Sequence, residues 1–336
     1  MKGLNKLFIA LSVITVLIGL SLLSSSLLLT WFAIFVISLY VLIKSADYFT
    51  ENAERLGLAL GIPSFIVGVT ILAVGTSLPE LLTSIIAVSK GTTEFVAGNV
   101  IGSNIANILL IIGIAVLFTK KTLNVEWDLV KIDLPLLLGS AFILLITLWD
   151  GKFTFPEAII CLGGYIIYVL YSISARNEEN KETKRTKFSI SIPIILVLSA
   201  IGLFFSAKYT IESVINISEL LSFGDTSLIA LTAVAVGTSL PELLVSISAA
   251  RKGNHEMAIG NVLGSNIFNS FVVMGIPGLM GVLTVSDATL MIALPVSIIA
   301  TFLFIISIQD REISNYEGLM FLLVYALFIV KLFGVV

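Results

Sequence analysis

The chain is 336 residues long, 57% hydrophobic and only 12% charged, with a formal net charge of −3. That balance lies well outside the soluble globular range and offers no basic face for nucleic acid. Apolar runs near 20 residues, each long enough to cross a hydrocarbon core of ~30 Å, recur from end to end. The chain therefore reads as an all-α polytopic membrane protein whose surroundings are the lipid bilayer, with no obligate protein partner evident.

Residues 7–23 form the first apolar run, after Lys2 and Lys6 and before Ser24, Ser25 and Ser26. A basic start, an apolar stretch and small residues also describe a signal segment. The next run begins almost at once, so residues 1–26 are read as one extra N-terminal helix, with the cleaved segment as the alternative. Residues 27–49 follow, with a polar tail (Asp47, Glu51, Glu54, Arg55) expected to be a solvated helix end. Residues 63–89, 94–118, 131–148 and 155–174 complete a first half, residues 27–175.

Residues 176–188 are the only strongly polar stretch of any length and form a linker. The second half, residues 189–336, repeats the pattern with runs at 189–208, 226–250, 257–283, 288–308 and 316–333. Five helices per half is an odd number, so equivalent helices cross in opposite directions and the repeats are inverted. The expected core is two inverted five-helix repeats, ten transmembrane helices, with one helix in front. Lys120, Lys121, Arg176 to Lys187, Arg251, Lys252 and Arg311 all fall on one side. The positive-inside bias makes that linker cytoplasmic and the C-terminus extracellular in a multi-pass cell-membrane protein.

The duplication is written most plainly in Ala73-Val-Gly-Thr-Ser-Leu-Pro-Glu80, which recurs unchanged as Ala235-Val-Gly-Thr-Ser-Leu-Pro-Glu242. At one constant offset, Gly98-Asn-Val-Ile-Gly-Ser-Asn-Ile-Ala-Asn107 answers Gly260-Asn-Val-Leu-Gly-Ser-Asn-Ile-Phe-Asn269. Two pairs at one offset are an internal repeat. On a helix, Thr76 and Glu80 share a face with Ser77 beside them, and Ser103 shares one with Asn107. Pro79 lacks an N–H, which frees carbonyls near Gly75. Hydroxyls, carbonyls and one carboxylate per copy form an all-oxygen set, suited to hard cations such as Na⁺ and Ca²⁺.

Ser77-Leu-Pro-Glu80 also spells a capping box, a serine N-cap with glutamate at N3. A cap alone does not account for a carboxylate midway along an apolar run, which costs roughly 3 kcal/mol or more and normally marks an ion path. Glu94 and Glu256 begin helices and read as structural. Asp150, Glu157, Asp310 and Glu317 read as solvated loop ends. Cys161, the sole cysteine, lies in an apolar run, lipid-facing or packed. His255, the sole histidine, sits in a polar connector and is expected to be solvated.

These motifs resemble the two alpha-repeats of the sodium/calcium exchanger family, within the wider cation/calcium antiporters, and the resemblance covers residue 27 to the C-terminus. It implies a mid-membrane cluster of cation sites drawn from both repeats and a transporter rather than an enzyme, with no cofactor. By motif position, Glu80 and Glu242 would be the calcium carboxylates. Thr76, Ser77, Thr238 and Ser239 would add side-chain oxygens, and Ala73 and Ala235 backbone carbonyls. Ser103, Asn107, Ser265 and Asn269 would complete the sodium positions. Many relatives carry aspartate at one of positions 107 and 269; asparagine at both removes a titratable group. The family suggests three Na⁺ against one Ca²⁺, with Ca²⁺/H⁺ and K⁺-dependent Na⁺/Ca²⁺ exchange as variants. An intramembrane hydrolase would need a nucleophile and base that the signatures lack.

Overall fold

The computed structural model describes residues 27–119, 122–124, 133–178, 188–220 and 237–332. Residues 1–26, where an extra N-terminal helix is expected, residues 179–187 of the linker and Ala235 lie outside the described residues. In chain order the helices are α1 (Leu27–Leu60), α2 (Ser64–Ser89), α3 (Glu94–Leu117), α4 (Asp133–Leu148) and α5 (Phe155–Glu178). They continue as α6 (Ser191–Leu220), α7 (Leu240–Arg251), α8 (His255–Met280), α9 (Thr289–Ser307) and α10 (Asn315–Leu332). Among the described residues 8 of them are long and apolar enough to cross a membrane; α4 is shorter, and α7 is described from Leu240 onward.

Two helices outrun their apolar stretches. The polar tail after residue 49 stays helical to Leu60, because no proline intervenes before Pro63. Closure comes at Gly61, whose φ of 66° lets the Ile62 N–H reach back to the Gly57 carbonyl at 2.8 Å. The charges pair along the helix, Lys44 with Asp47 and Arg55 with Glu51. Asp47 is also docked rather than simply solvated. Its carboxylate accepts the Ser248 hydroxyl at 2.8 Å, and its carbonyl accepts the Lys252 ammonium at 2.8 Å. Helix α6 likewise runs on to Leu220 and lies along α1. Gly202 leaves room for Ser45, and Thr210 Oγ1 donates to Ser38 Oγ at 2.9 Å.

α8 is the most deeply buried helix and packs on the first half of α2. Glycines set their approach: a Cβ on Gly260 would stand 2.7 Å from the Phe65 carbonyl, and one on Gly68 2.7 Å from that of Met257. Gly264 faces the Val69 backbone in the same way. With no hydrophobic drive between helices in lipid, such backbone contact supplies the packing.

Two short antiparallel clasps tie the halves together, and an all-α reading did not contain them. β1 (Thr122–Asn124), after α3, pairs with β4 (Glu312–Ser314), before α10. β2 (Lys152–Phe153), before α5, pairs with β3 (Leu283–Thr284), after α8. Exchanging the halves turns one clasp into the other: Leu123 faces Ile313, and Phe153 faces Leu283, all four buried.

Three loop-end expectations change here. Glu157 is not merely solvated: its Oε2 accepts the Thr154 N–H at 2.6 Å and the Thr154 hydroxyl at 2.8 Å. Glu317 does the same for Ser314 at 2.7 and 2.8 Å. Both are helix-start caps. His255 Nδ1 accepts the Asn124 N–H at 3.2 Å, so the histidine fastens β1 to α8. Cys161 is packed in the core.

Close helix contact yields a stability test. Gly260→Ala and Gly264→Ala should each cost about 1–3 kcal/mol of stability, the usual range for overpacking. Gly163→Ala, which meets nothing within 4 Å among the described residues, should be neutral or stabilising. Thermal unfolding of the detergent-purified variants reads the difference.

Candidate functional site

The signature does not continue as one helix. Its first residues, Ala73–Thr76, close a helical stretch, Ser77 breaks it at φ −89°, ψ 5°, and a new helix starts at Leu78. Ser239, in the second copy, breaks at φ −86°, ψ 4° before Leu240. Identical sequence gives the same bridge-region turn twice. Pro79 and Pro241 sit in the first turn of the restarted helices, where the missing N–H costs nothing. Glu80 and Glu242 come next, at helix N-termini whose dipole favours an acid.

The capping-box reading fails on geometry. Neither Ser77 nor Ser239 makes a side-chain cap hydrogen bond. Ser77 Oγ instead donates to Glu242 Oε1 at 2.9 Å, across the two halves. Ser239 Oγ turns toward Ser103 Oγ at 3.4 Å. Each hydroxyl is aimed at the opposite half rather than at its own helix start.

The same crossing recurs throughout the cluster. Thr76 Oγ1 lies 3.5 Å from Ser265 Oγ and donates to Asn261 Oδ1 at 3.3 Å. Asn107 Nδ2 donates to Asn266 Oδ1 at 2.9 Å, and Asn104 Nδ2 to Ser270 Oγ at 3.0 Å. Thr76, Ser77, Glu80, Ser103, Asn107, Thr238, Ser239, Glu242, Ser265 and Asn269 are all buried. Ala73 is buried too; its carbonyl accepts the Ser77 N–H at 3.0 Å and, at 3.3 Å, shares the one Thr76 hydroxyl proton with Asn261 Oδ1.

Sequence reasoning passed over Asn104, Asn266, Asn261 and Ser270. All four stand in or beside the second motif, but counting helical faces from Ser103 and Asn107 left Asn104 off the shared face. The helix itself changes pitch there. α3 becomes a π-helix over Ala106–Ile112, and α8 over Asn269–Val273. A third π segment, Gly68–Leu72, runs straight into Ala73. Such widened turns rotate side chains off the 3.6-residue register and are frequent at functional sites. The sequence carries no signal for them.

What remains unsatisfied defines the chemistry. Both carboxylate oxygens of Glu80, Glu242 Oε2, Thr238 Oγ1, and the carbonyl oxygens of Asn104, Asn107 and Asn269 have no hydrogen-bond partner and are buried. None of the described ion pairs involves Glu80 or Glu242. Buried acceptors without donors cost on the order of 1–3 kcal/mol each, more when charged. Two buried carboxylates among buried oxygen acceptors are a donor set of the kind that suits a hard cation.

Comparison with known proteins agrees with that chemistry. The sodium/calcium exchanger protein family matches residues 30–174 and 191–334. The chain is 37% identical to the sodium/calcium exchanger MaX1 of Methanosarcina acetivorans, covering 90% of this chain and 98% of that protein. It is 31% identical to the putative antiporter CaxA of Alkalimonas amylolytica, over 86% of this chain and 94% of that one. Its fold is similar to a solved structure of the sodium-calcium exchanger NCX_Mj soaked with Na⁺ and Ca²⁺. The TM-score is 0.78 at 28% identity, covering 89% of this chain and 97% of that chain.

Ligation by this oxygen set has a direct readout. Calcium at about 100 times its dissociation constant should stabilise the purified protein by ~2.7 kcal/mol, seen as a raised unfolding temperature. Glu80→Gln and Glu242→Gln should each lose most of that shift while keeping their own fold.

Proposed function

We propose that this chain, which belongs to the sodium/calcium exchanger family, is a secondary antiporter that moves Ca²⁺ one way and Na⁺ the other by alternating access. One observation carries the reading: two buried carboxylates from duplicated signatures, one of them hydrogen-bonded by the other half's Ser77, stand among unpartnered oxygens. Glu80 and Glu242 balance one Ca²⁺. Thr76, Ser77, Thr238, Ser239, Ser103, Ser265, Asn107 and Asn269 offer oxygens for the lone charges of Na⁺, with the carbonyls of Ala73 and Ala235 as further ligands.

Coupling follows from charge. Loaded with calcium, the two glutamates are neutralised; empty and ionised, they leave two charges in a medium that solvates them poorly. An empty carrier therefore changes sides rarely, which makes exchange obligatory instead of leak. The two clasps, which interchange when the halves are exchanged, support a core of two inverted five-helix repeats. Such repeats provide two states of similar energy, open to opposite sides.

Three measurements test this reading in vesicles and cells. Sodium-gradient-driven uptake of radiolabelled Ca²⁺ should be abolished by Glu80→Gln and by Glu242→Gln; wild-type rates in either would remove that residue from the site. Residues 176–188 are placed in the cytoplasm and the C-terminus outside. A cysteine at Asn180 in a Cys161-free background should accordingly label only after the membrane is permeabilised, and ready labelling in intact cells would reverse the orientation.

The third concerns stoichiometry. With neutral Asn107 and Asn269, the core carries two formal negative charges; calcium brings it to zero, and three sodium ions to plus one. One positive charge then crosses per cycle against calcium, so a potential contributes ~2.3 kcal/mol per 100 mV. An inside-positive potential, clamped with valinomycin and potassium, should speed calcium uptake into sodium-loaded vesicles. Uptake indifferent to potential would point to two-for-one or proton-compensated exchange.

A further inference from the structure

The duplicated residues are equivalent in sequence but not in what they touch. Asn261, fully buried on α8, joins three groups. Its Nδ2 donates to Ser246 Oγ at 2.9 Å and to the Glu242 carbonyl at 3.4 Å, while its Oδ1 accepts the Thr76 hydroxyl at 3.3 Å. It thereby ties the α7 segment carrying one carboxylate to the hydroxyl beside the other. Asn99 is its equivalent on α3, at the offset that relates the signatures, and is only half-buried. Asn99 Nδ2 does hold Ser84 Oγ, the equivalent of Ser246, at 3.3 Å. The other two arms are missing: the Glu80 carbonyl accepts Thr83 Oγ1 at 3.0 Å and nothing from Asn99, and Thr238, the equivalent of Thr76, has a buried hydroxyl with no partner. The carboxylates differ in the same sense. Glu242 receives Ser77, whereas Glu80 receives nothing from Ser239.

We propose that Asn261 and Asn99 are alternating positioning residues, each clamping the threonine of the opposite half when its own side of the site is shut. Asn261 lies toward the start of α8 and Asn99 toward the start of α3. In an inverted-repeat exchanger, the reading on which this rests, those starts face opposite membrane surfaces. The structure then has the Asn261 side closed and the Asn99 side open. On switching, the Asn261–Thr76 hydrogen bond is released, and Asn99 Oδ1 accepts a hydrogen bond from the Thr238 hydroxyl. Each asparagine keeps its serine anchor throughout, while its arms to the threonine and to the glutamate carbonyl change.

Hydrogen exchange of the purified full chain, in sodium- and calcium-free buffer, tests this through peptides covering residues 94–105 and 257–268. Asn261→Ala should raise the ratio of exchange in 257–268 to that in 94–105 by roughly fivefold, the weight of one lost hydrogen bond. Asn99→Ala should move the ratio the other way, and the double variant should return it toward wild type. Ser246→Ala and Ser84→Ala loosen the same two amides and give the same pair of signs should an asparagine variant not fold. A purely structural role would loosen only the region that carries the substitution; alternation also slows exchange in the other region below its wild-type rate, and single variants without that reciprocal protection overturn the proposal. Wild-type calcium flux is measured in parallel. Absent sodium-driven uptake overturns the exchanger reading, while opposite ratio shifts remain readable without any flux.

Discussion

Two carboxylates buried without a counter-charge are the constraint on which the rest of this molecule depends. Glu80 and Glu242 are fully buried, and no described basic side chain pairs with either. A lone carboxylate in such surroundings is among the costliest groups a protein can carry. The fold meets that cost partly by placing each acid in the first turn of a restarted helix, where backbone N–H groups and the dipole favour it. This links local backbone to transport: without the break at Ser77 and Ser239, no helix N-terminus would exist at that depth.

Placing those breaks together is the work of the packing. α8 can meet the first half of α2 at backbone distance only because Gly68, Gly260 and Gly264 present no side chain. That approach carries Ser265 and Asn261 to Thr76. The π segments of α3 and α8 then turn Asn107 and Asn269 out of ordinary register into the cluster's interior. Most of the polar contacts in the cluster cross from one half to the other. The site accordingly belongs to neither repeat and should respond to any relative movement of the two.

Away from the cluster, the helix pair α1 and α6 is longer and more exposed than the helices it flanks. Its small polar residues, Ser38, Ser45, Gly202 and Thr210, keep the two helices together. Contact with α7 runs through Asp47, Ser248 and Lys252, at the exposed margin. The clasps β1–β4 and β2–β3 join the loop ends of opposite halves.

Much of this was determined by the sequence alone. Apolar run length identified the spanning helices, because the bilayer demands about 20 apolar residues whatever the fold. The repeated Gly-Thr-Ser-Leu-Pro-Glu marked the two acids, because a charge within such a run has few explanations other than ion chemistry. Hydropathy ended α1 and α6 too early, since a helix outside the hydrocarbon core continues on polar residues until a glycine or proline stops it. Three things were decided only in three dimensions. Ser77 reaches Glu242 rather than its own helix start, Asn261 holds Thr76 while Asn99 leaves Thr238 free, and His255 grips β1. Each depends on a partner more than a hundred residues away, and the two repeats, nearly identical as text, cannot say which of them holds its partner.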